Sequence, residues 1–173
     1  NVVMLDIGDS GCVYFDPVEI HRTGNPKLDK DMFALSYSFT VGIFKTLVGQ
    51  KILDRRDWAE VIVKGGVTDF YQDIGADRFD SKTWIKTKNR TLFDVFDYIK
   101  NFEPDNPNEE FKADRELVVS ALEGYLGEDN RLSGRFKKRV SIDSIKDAKL
   151  VINSFGMKGR SEQTVDAVDM ALM

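Results

Sequence analysis

Five positive side chains fall within nine residues: Arg131, Arg135, Lys137, Lys138 and Arg139. Lys158 and Arg160 follow a short way on, in a chain whose net charge is −4. Guanidinium and ammonium groups at this density suit nucleic-acid phosphates, a nucleotide's phosphates across a subunit interface, or the carboxylates of an acidic partner. The same residues also read as a solvated loop balanced by the acidic stretch from Glu103 to Glu116. The negative overall balance argues against nucleic acid coating the whole surface and confines any such role to this patch.

Self-contained catalysis has less to work with. His21 is the only histidine and Cys12 the only cysteine. A nucleophile at Ser10 or Cys12 would therefore have one base to draw on, and nothing in the sequence orients it. Cys12, inside a β-rich run, reads as a small buried side chain. A phosphate-cradling loop needs the spacing Gly-x-x-x-x-Gly-Lys-Ser/Thr, so that backbone amides surround the phosphates. No window has it; Gly8-Asp9-Ser10-Gly11 and Gly156-Met157-Lys158-Gly159-Arg160-Ser161 come nearest and read as turns. One histidine and one cysteine cannot build a zinc cage, and the acidic residues lack ligand-like spacing. A small enzyme using an added metal would have to draw on Asp6, Asp9 or Asp16. Trp58 and Trp84 read as packing anchors ahead of base-stacking platforms. On these grounds no catalytic or metal-binding residue is assigned, and no cofactor is expected within the chain.

With 173 residues, 42% of them hydrophobic and 31% charged, the chain can bury one core of its own. A single cysteine rules out an internal disulfide framework and fits a reducing, cytoplasmic compartment. No apolar run approaches the roughly 18 residues of a membrane span, and no signal peptide is visible.

The elements that would position these groups run from β to α and back. Val2 to Ile7 and Cys12 to Phe15 are β-rich runs around the first glycine turn, and Asp16-Pro17 ends the second, since proline cannot donate to a sheet. A polar loop over 21–30 leads into a helix with Met32, Leu35, Phe39, Ile43 and Leu47 on one stripe, widened by Phe33, Phe44 and Val48. A second helix is expected after Asp54 as N-cap, burying Trp58, Val61, Ile62, Val67, Phe70, Tyr71 and Ile74. Gly65-Gly66 inside it predicts a kink or close packing, because each glycine costs about 1 kcal/mol of helix stability. A third helix starts near Thr91 and buries Leu92, Val95, Phe96 and Ile99. After a loop over 103–108 a fourth carries Phe111, Val118, Leu122 and Tyr125 and ends near Gly127. Leu150 to Phe155 then returns to β, and 165–173 reads as an unfinished helix. An apolar start and an uncapped end suggest a piece of a larger protein. The pattern is mainly α: an all-α domain over 21–146, between a β-rich edge over 1–20 and a returning strand and helix over 147–173, set into a larger α/β sheet.

The order of motifs resembles a known family. Gly11-Cys12-Val13-Tyr14-Phe15-Asp16-Pro17-Val18-Glu19-Ile20 is similar to the "strand, then Asn-Pro-Leu-acid-Ile" element of conjugative-transfer and type IV secretion ATPases, P-loop motors related to HerA and FtsK. Phe33-Ala34-Leu35, Trp84 ahead of Arg90-Thr91-Leu92-Phe93-Asp94-Val95, and Leu122-Glu123-Gly124-Tyr125 follow in the family's order. Leu132-Ser133-Gly134-Arg135-Phe136 resembles its "Gly-x-Phe" segment before a strand of the nucleotide core. Asp16 departs from the pattern, standing where asparagine is usual.

The resemblance implies an all-α insertion in a RecA-like α/β core, lying between the Walker A loop, upstream of Asn1, and the Walker B strand, downstream of Met173. It implies a bacterial mobile-element parent that uses ATP and Mg²⁺ to power DNA or protein transfer at the cytoplasmic face of the inner membrane. Neighbouring subunits of a hexameric motor, secretion-channel components and DNA are the implied partners. Arg135 or Arg160 would be the candidate for an arginine acting on a neighbour's nucleotide. Without either Walker motif the 173 residues alone are expected to be inactive. The alternative is a free-standing helical domain that binds nucleic acid through the basic loop 131–139.

Overall fold

The computed structural model describes residues 2–6, 17–127 and 149–153. The central stretch is helical, and each long helix but one begins where a side chain stands in for a missing backbone partner. α1 (Pro26–Val48) starts at Asn25, whose side chain accepts from the Lys27 N–H at 3.0 Å, with Pro26 in the first turn where its lost N–H costs nothing. It stops at Gly49, whose φ of 88° is open to glycine and strained for other residues. A single turn, α2 (Gln50–Leu53), follows, and then α3 (Ala59–Asp73). A short 3-10 segment, Thr83–Thr87, precedes α4 (Leu92–Asn101).

At the head of α4, Thr91 and Asp94 exchange bonds. The Thr91 hydroxyl accepts the Asp94 N–H at 3.4 Å, and the Asp94 carboxylate accepts the Thr91 N–H at 2.6 Å. α5 (Glu109–Leu126) opens on Asn108, which accepts the Phe111 N–H at 2.7 Å, and Glu109 and Glu110 sit at its positive end.

α3 is the hub, in contact with each of the other four helices. Ile62, Val63, Val67 and Phe70 of α3 are buried against Ile43, Phe44 and Leu47 of α1, with Leu92, Val95 and Ile99 of α4 in the same core. Phe111, Val118 and Leu122 bring α5 into it. The expected close packing at the glycine pair is present. A Cβ on Gly66 would lie 2.5 Å from the Ile99 Cα, and one on Gly65 would lie 2.3 Å from the Phe102 ring. At the far end of that interface the Tyr98 hydroxyl donates to the Asp73 carboxylate, which raises the Tyr98 pKa above the ordinary phenol value.

The segment entering the helical body is pinned to it. Val18 and Ile20 are buried with the helices. Thr40 Oγ1 donates to the Pro17 carbonyl at 3.2 Å, the Tyr71 hydroxyl to the Val18 carbonyl at 3.1 Å, and the Ile20 N–H to Thr87 Oγ1 at 2.9 Å. Outside the body, β1 (Val2–Asp6) and β2 (Lys149–Asn153) pair in parallel, from Val2 opposite Lys149 to Asp6 opposite Asn153.

Three local expectations are corrected. Asp54 is not an N-cap: it closes α2, accepting from Gln50 Nε2 at 2.6 Å, and α3 begins only at Ala59. Leu35 is 61% exposed although it falls on the apolar spacing of α1, because the next helices pack on the side that carries Phe33 and Tyr37. Val61 is 43% exposed, since Ala59, Ile62, Val63, Gly66 and Val67 already define the buried face of α3. Among the described residues no helix is long and apolar enough to cross a membrane.

Candidate functional site

The basic residues marked by sequence, Arg131, Arg135, Lys137, Lys138, Arg139, Lys158 and Arg160, lie outside the described residues. So do Asp9, Ser10, Cys12, Asp16 and both glycine turns, while Asp6 falls in β1. His21 is half-buried on the approach to α1. Beyond it Thr23 donates to Asp29 Oδ1 twice, from its hydroxyl and its N–H, each at 2.7 Å. Those bonds, with the Arg22 charge nearby, hold the Asp29 carboxyl below its ordinary value.

Gly65 and Gly66 are spent on helix packing, and no three His, Cys, Asp or Glu side chains converge among the described residues. Trp84 is buried, its indole N–H donating to the Asp77 carbonyl at 2.7 Å, and Trp58 meets Phe111 edge-on with ring centroids 5.7 Å apart. Both tryptophans are packing anchors.

What the folded chain does form is a cleft of about 580 Å³ where α1 passes the C-terminal end of α3. Phe33 and Tyr37, four residues apart on α1, share one side of that helix and meet Tyr71 of α3. The Phe33 and Tyr71 ring centroids are 5.3 Å apart, and those of Tyr37 and Tyr71 are 6.3 Å apart. Thr68 and Gln72 continue the wall from α3. The Tyr37 and Thr68 hydroxyls lie 3.0 Å apart, and Thr68 donates to the Lys64 carbonyl at 2.8 Å. The floor is aromatic and the wall carries hydroxyls and an amide.

The remaining side is a loop whose shape is fixed by its own hydrogen bonds. Gly75, with φ 67°, ends α3: its N–H reaches the Gln72 carbonyl at 2.9 Å while the Ala76 N–H reaches the Tyr71 carbonyl at 3.0 Å. This is the glycine-terminated helix end expected where the chain must turn sharply. Asp77 then organises the turn. Its carboxylate accepts the Phe79 N–H at 2.8 Å, and its own N–H donates to Thr83 Oγ1 at 2.7 Å. Thr83 Oγ1 donates in turn to the Asp80 carbonyl at 2.6 Å. Held this way, Phe79 stands 90% exposed at the loop tip, with the Arg78 guanidinium 5.7 Å from its ring centroid.

The lining contains no histidine or cysteine, and its one carboxylate, Asp77, is engaged by the loop backbone. The apolar pattern places Phe33 and Tyr71 in the core, and it passes over Tyr37, Thr68 and the loop over 75–83. Two signals in the sequence point to the cleft: an aromatic pair at i and i+4, and a glycine directly after the last residues of the α3 pattern.

A second feature is a buried acid. Asp114 of α5 accepts the Trp58 N–H at 3.2 Å and faces Arg56 Nη1 at 3.5 Å. α3 has no capping side chain of its own at its start, so Asp114 serves that end from another helix.

Comparison of the chain with protein-family models, with curated proteins and with solved structures found no match.

Proposed function

We propose that the chain is the helical interaction unit of a conjugative-transfer or type IV secretion motor ATPase, set between two neighbouring strands of the motor's α/β core. One observation carries the reading. A helical body is enclosed between strands that pair in parallel, Val2–Asp6 with Lys149–Asn153. Parallel neighbours require a crossover connection, and an insertion domain is a long one. The order of family-like motifs along residues 11–136 supports it from the sequence side. In this reading ATP and Mg²⁺ are bound by the parent's Walker motifs, on the cytoplasmic side of the inner membrane. The helical unit contacts neighbouring subunits of the hexamer, channel components or DNA.

The test is the parent protein. A Gly-x-x-x-x-Gly-Lys-Ser/Thr loop shortly before Asn1 and an apolar strand ending in acidic residues after Met173 are expected. The parent should hydrolyse ATP and the isolated 173 residues should not. Absence of both motifs, or turnover by the isolated chain, refutes the proposal. A second reading rests on the five charges at 131–139: a nucleic-acid-binding domain whose DNA affinity falls steeply with salt. Replacing Arg135, Lys137, Lys138 and Arg139 by alanine should then flatten the salt dependence, by about one unit of log–log slope for each phosphate no longer neutralised.

A further inference from the structure

Phe79 is the least expected surface residue of the helical body. At 90% exposure its ring lies almost wholly in water, and slack does not explain this, because Asp77, Asp80 and Thr83 fix the loop that carries it. A large apolar side chain held out on a rigid loop is the form of an anchor that fills a pocket. Beside it, on the same loop, Arg78 and Thr83 form one side of the aromatic cleft. Knob and hole therefore share one face. From these facts we infer that the chain self-associates about a twofold axis, the Phe79 ring of each copy entering the Phe33–Tyr37–Tyr71 cleft of the other.

The adjacency selects this occupant. A twofold contact uses the same patch on both copies, so it needs a protrusion and a complementary recess side by side, each answering the other's counterpart. A small molecule in the cleft would leave Phe79 without a role. The cleft, about 580 Å³, has room for a benzyl group, and its half-buried Phe33 and Tyr37 rings, backed by the buried Tyr71, offer the edge-to-face partners that aromatic pairs favour.

Charge agrees with shape. The loop alternates in sign, with Asp77, Arg78, Asp80 and Lys82 all exposed, and none of them forms an ion pair with another described residue. Two such loops related by a twofold axis perpendicular to them run antiparallel, an arrangement that lets the cations of one face the carboxylates of the other. A contact made by two rings and two short loops is expected to dissociate on the order of micromolar. This inference stands apart from the motor reading, whose ring neighbours meet head to tail: a twofold contact would join two rings and not neighbours within one, and a strictly monomeric chain would leave that proposal intact and remove this one.

The experiment is sedimentation equilibrium of the 173-residue chain across the micromolar range, with two variants. Phe79→Ser removes the knob and Gln72→Trp fills the hole. Both positions are solvent-exposed, so both variants should keep the native circular dichroism and melting temperature. Two rings are buried per dimer, so each variant should weaken association about 100-fold or more. Mixing the two variants decides the matter. The Gln72→Trp chain still carries its knob and the Phe79→Ser chain its hole, so the mixture should regain a heterodimer through one remaining contact. A monomer throughout the range, a dimer indifferent to both variants, or a mixture that stays monomeric overturns the inference.

Discussion

Three glycine-to-alanine substitutions, chemically identical and all inside helices, should move stability in different directions. In a helix interior the exchange alone favours alanine by about 1 kcal/mol. Gly124 on α5 has nothing within 4 Å of an added Cβ, so Gly124→Ala should realise most of that gain. Gly66 is the opposite case. Its Cβ would lie 2.5 Å from the Ile99 Cα and 2.7 Å from the Ile99 N. Carbon atoms rest at about 3.5–4.0 Å, so α4 would have to retreat by about 1 Å. The obstacle is backbone, and no rotamer change relieves it. Overpacking costs about 1–3 kcal/mol, and a clash with main chain belongs at the upper end. Gly66→Ala should therefore lose about 2 kcal/mol net, a spread of about 3 kcal/mol from Gly124→Ala. For a chain of this length that is roughly 6–12 °C in melting temperature. Gly65→Ala should fall between, since it meets the Phe102 ring, which can swing away. Urea titration and thermal melts followed by circular dichroism measure all three. If Gly66→Ala melts at or above the native chain, α3 and α4 do not pack as described.

Asp114→Ala should cost about 2 kcal/mol in urea titration, because it leaves the part-buried Trp58 N–H without its acceptor and removes the pairing of the half-exposed Arg56, while Asp114→Asn, which keeps an acceptor, should cost less. Thr91→Ala breaks the reciprocal cap of α4 and should cost about 1 kcal/mol by the same assay. Asp29 gives a pH signature. Its carboxyl is held below its unfolded-state value, chiefly by the Thr23 bonds, so its contribution is present above about pH 4 and disappears as the pH falls through the folded-state value. The stability difference between the native chain and Asp29→Asn, measured from about pH 7 down to about pH 2.5, should shrink toward zero; a constant gap would refute the assignment.

Local signals in the sequence translate well where one helix decides the outcome. Thr91 and Gly127 bound their helices as expected, and the glycine pair marks a close approach because only a missing side chain permits one there. Signals that depend on neighbours translate less well. The spacing that includes Leu35 and Val61 is correct for a helix, but periodicity cannot say how wide the covered stripe is, and packing leaves both exposed. Asp54 has the chemistry of an N-cap but sits after a one-turn helix that Gly49 makes possible, a backbone event without an apolar pattern. The cleft escapes for a related reason: its rings look like core in sequence, and only the path of the loop over 75–83 turns them into a lining.

The bond from Asp114 to Trp58 also bears on how the chain comes into being. The start of α3 depends on an acceptor that follows it by 56 residues. During synthesis α3 must wait for α5 before its first turn is secured. Trimming that removes Asp114 should fray α3 from its beginning, far from the cut. The two ends of the described helical body are thus expected to unfold together, with α3 and α5 losing protection against hydrogen exchange in one step.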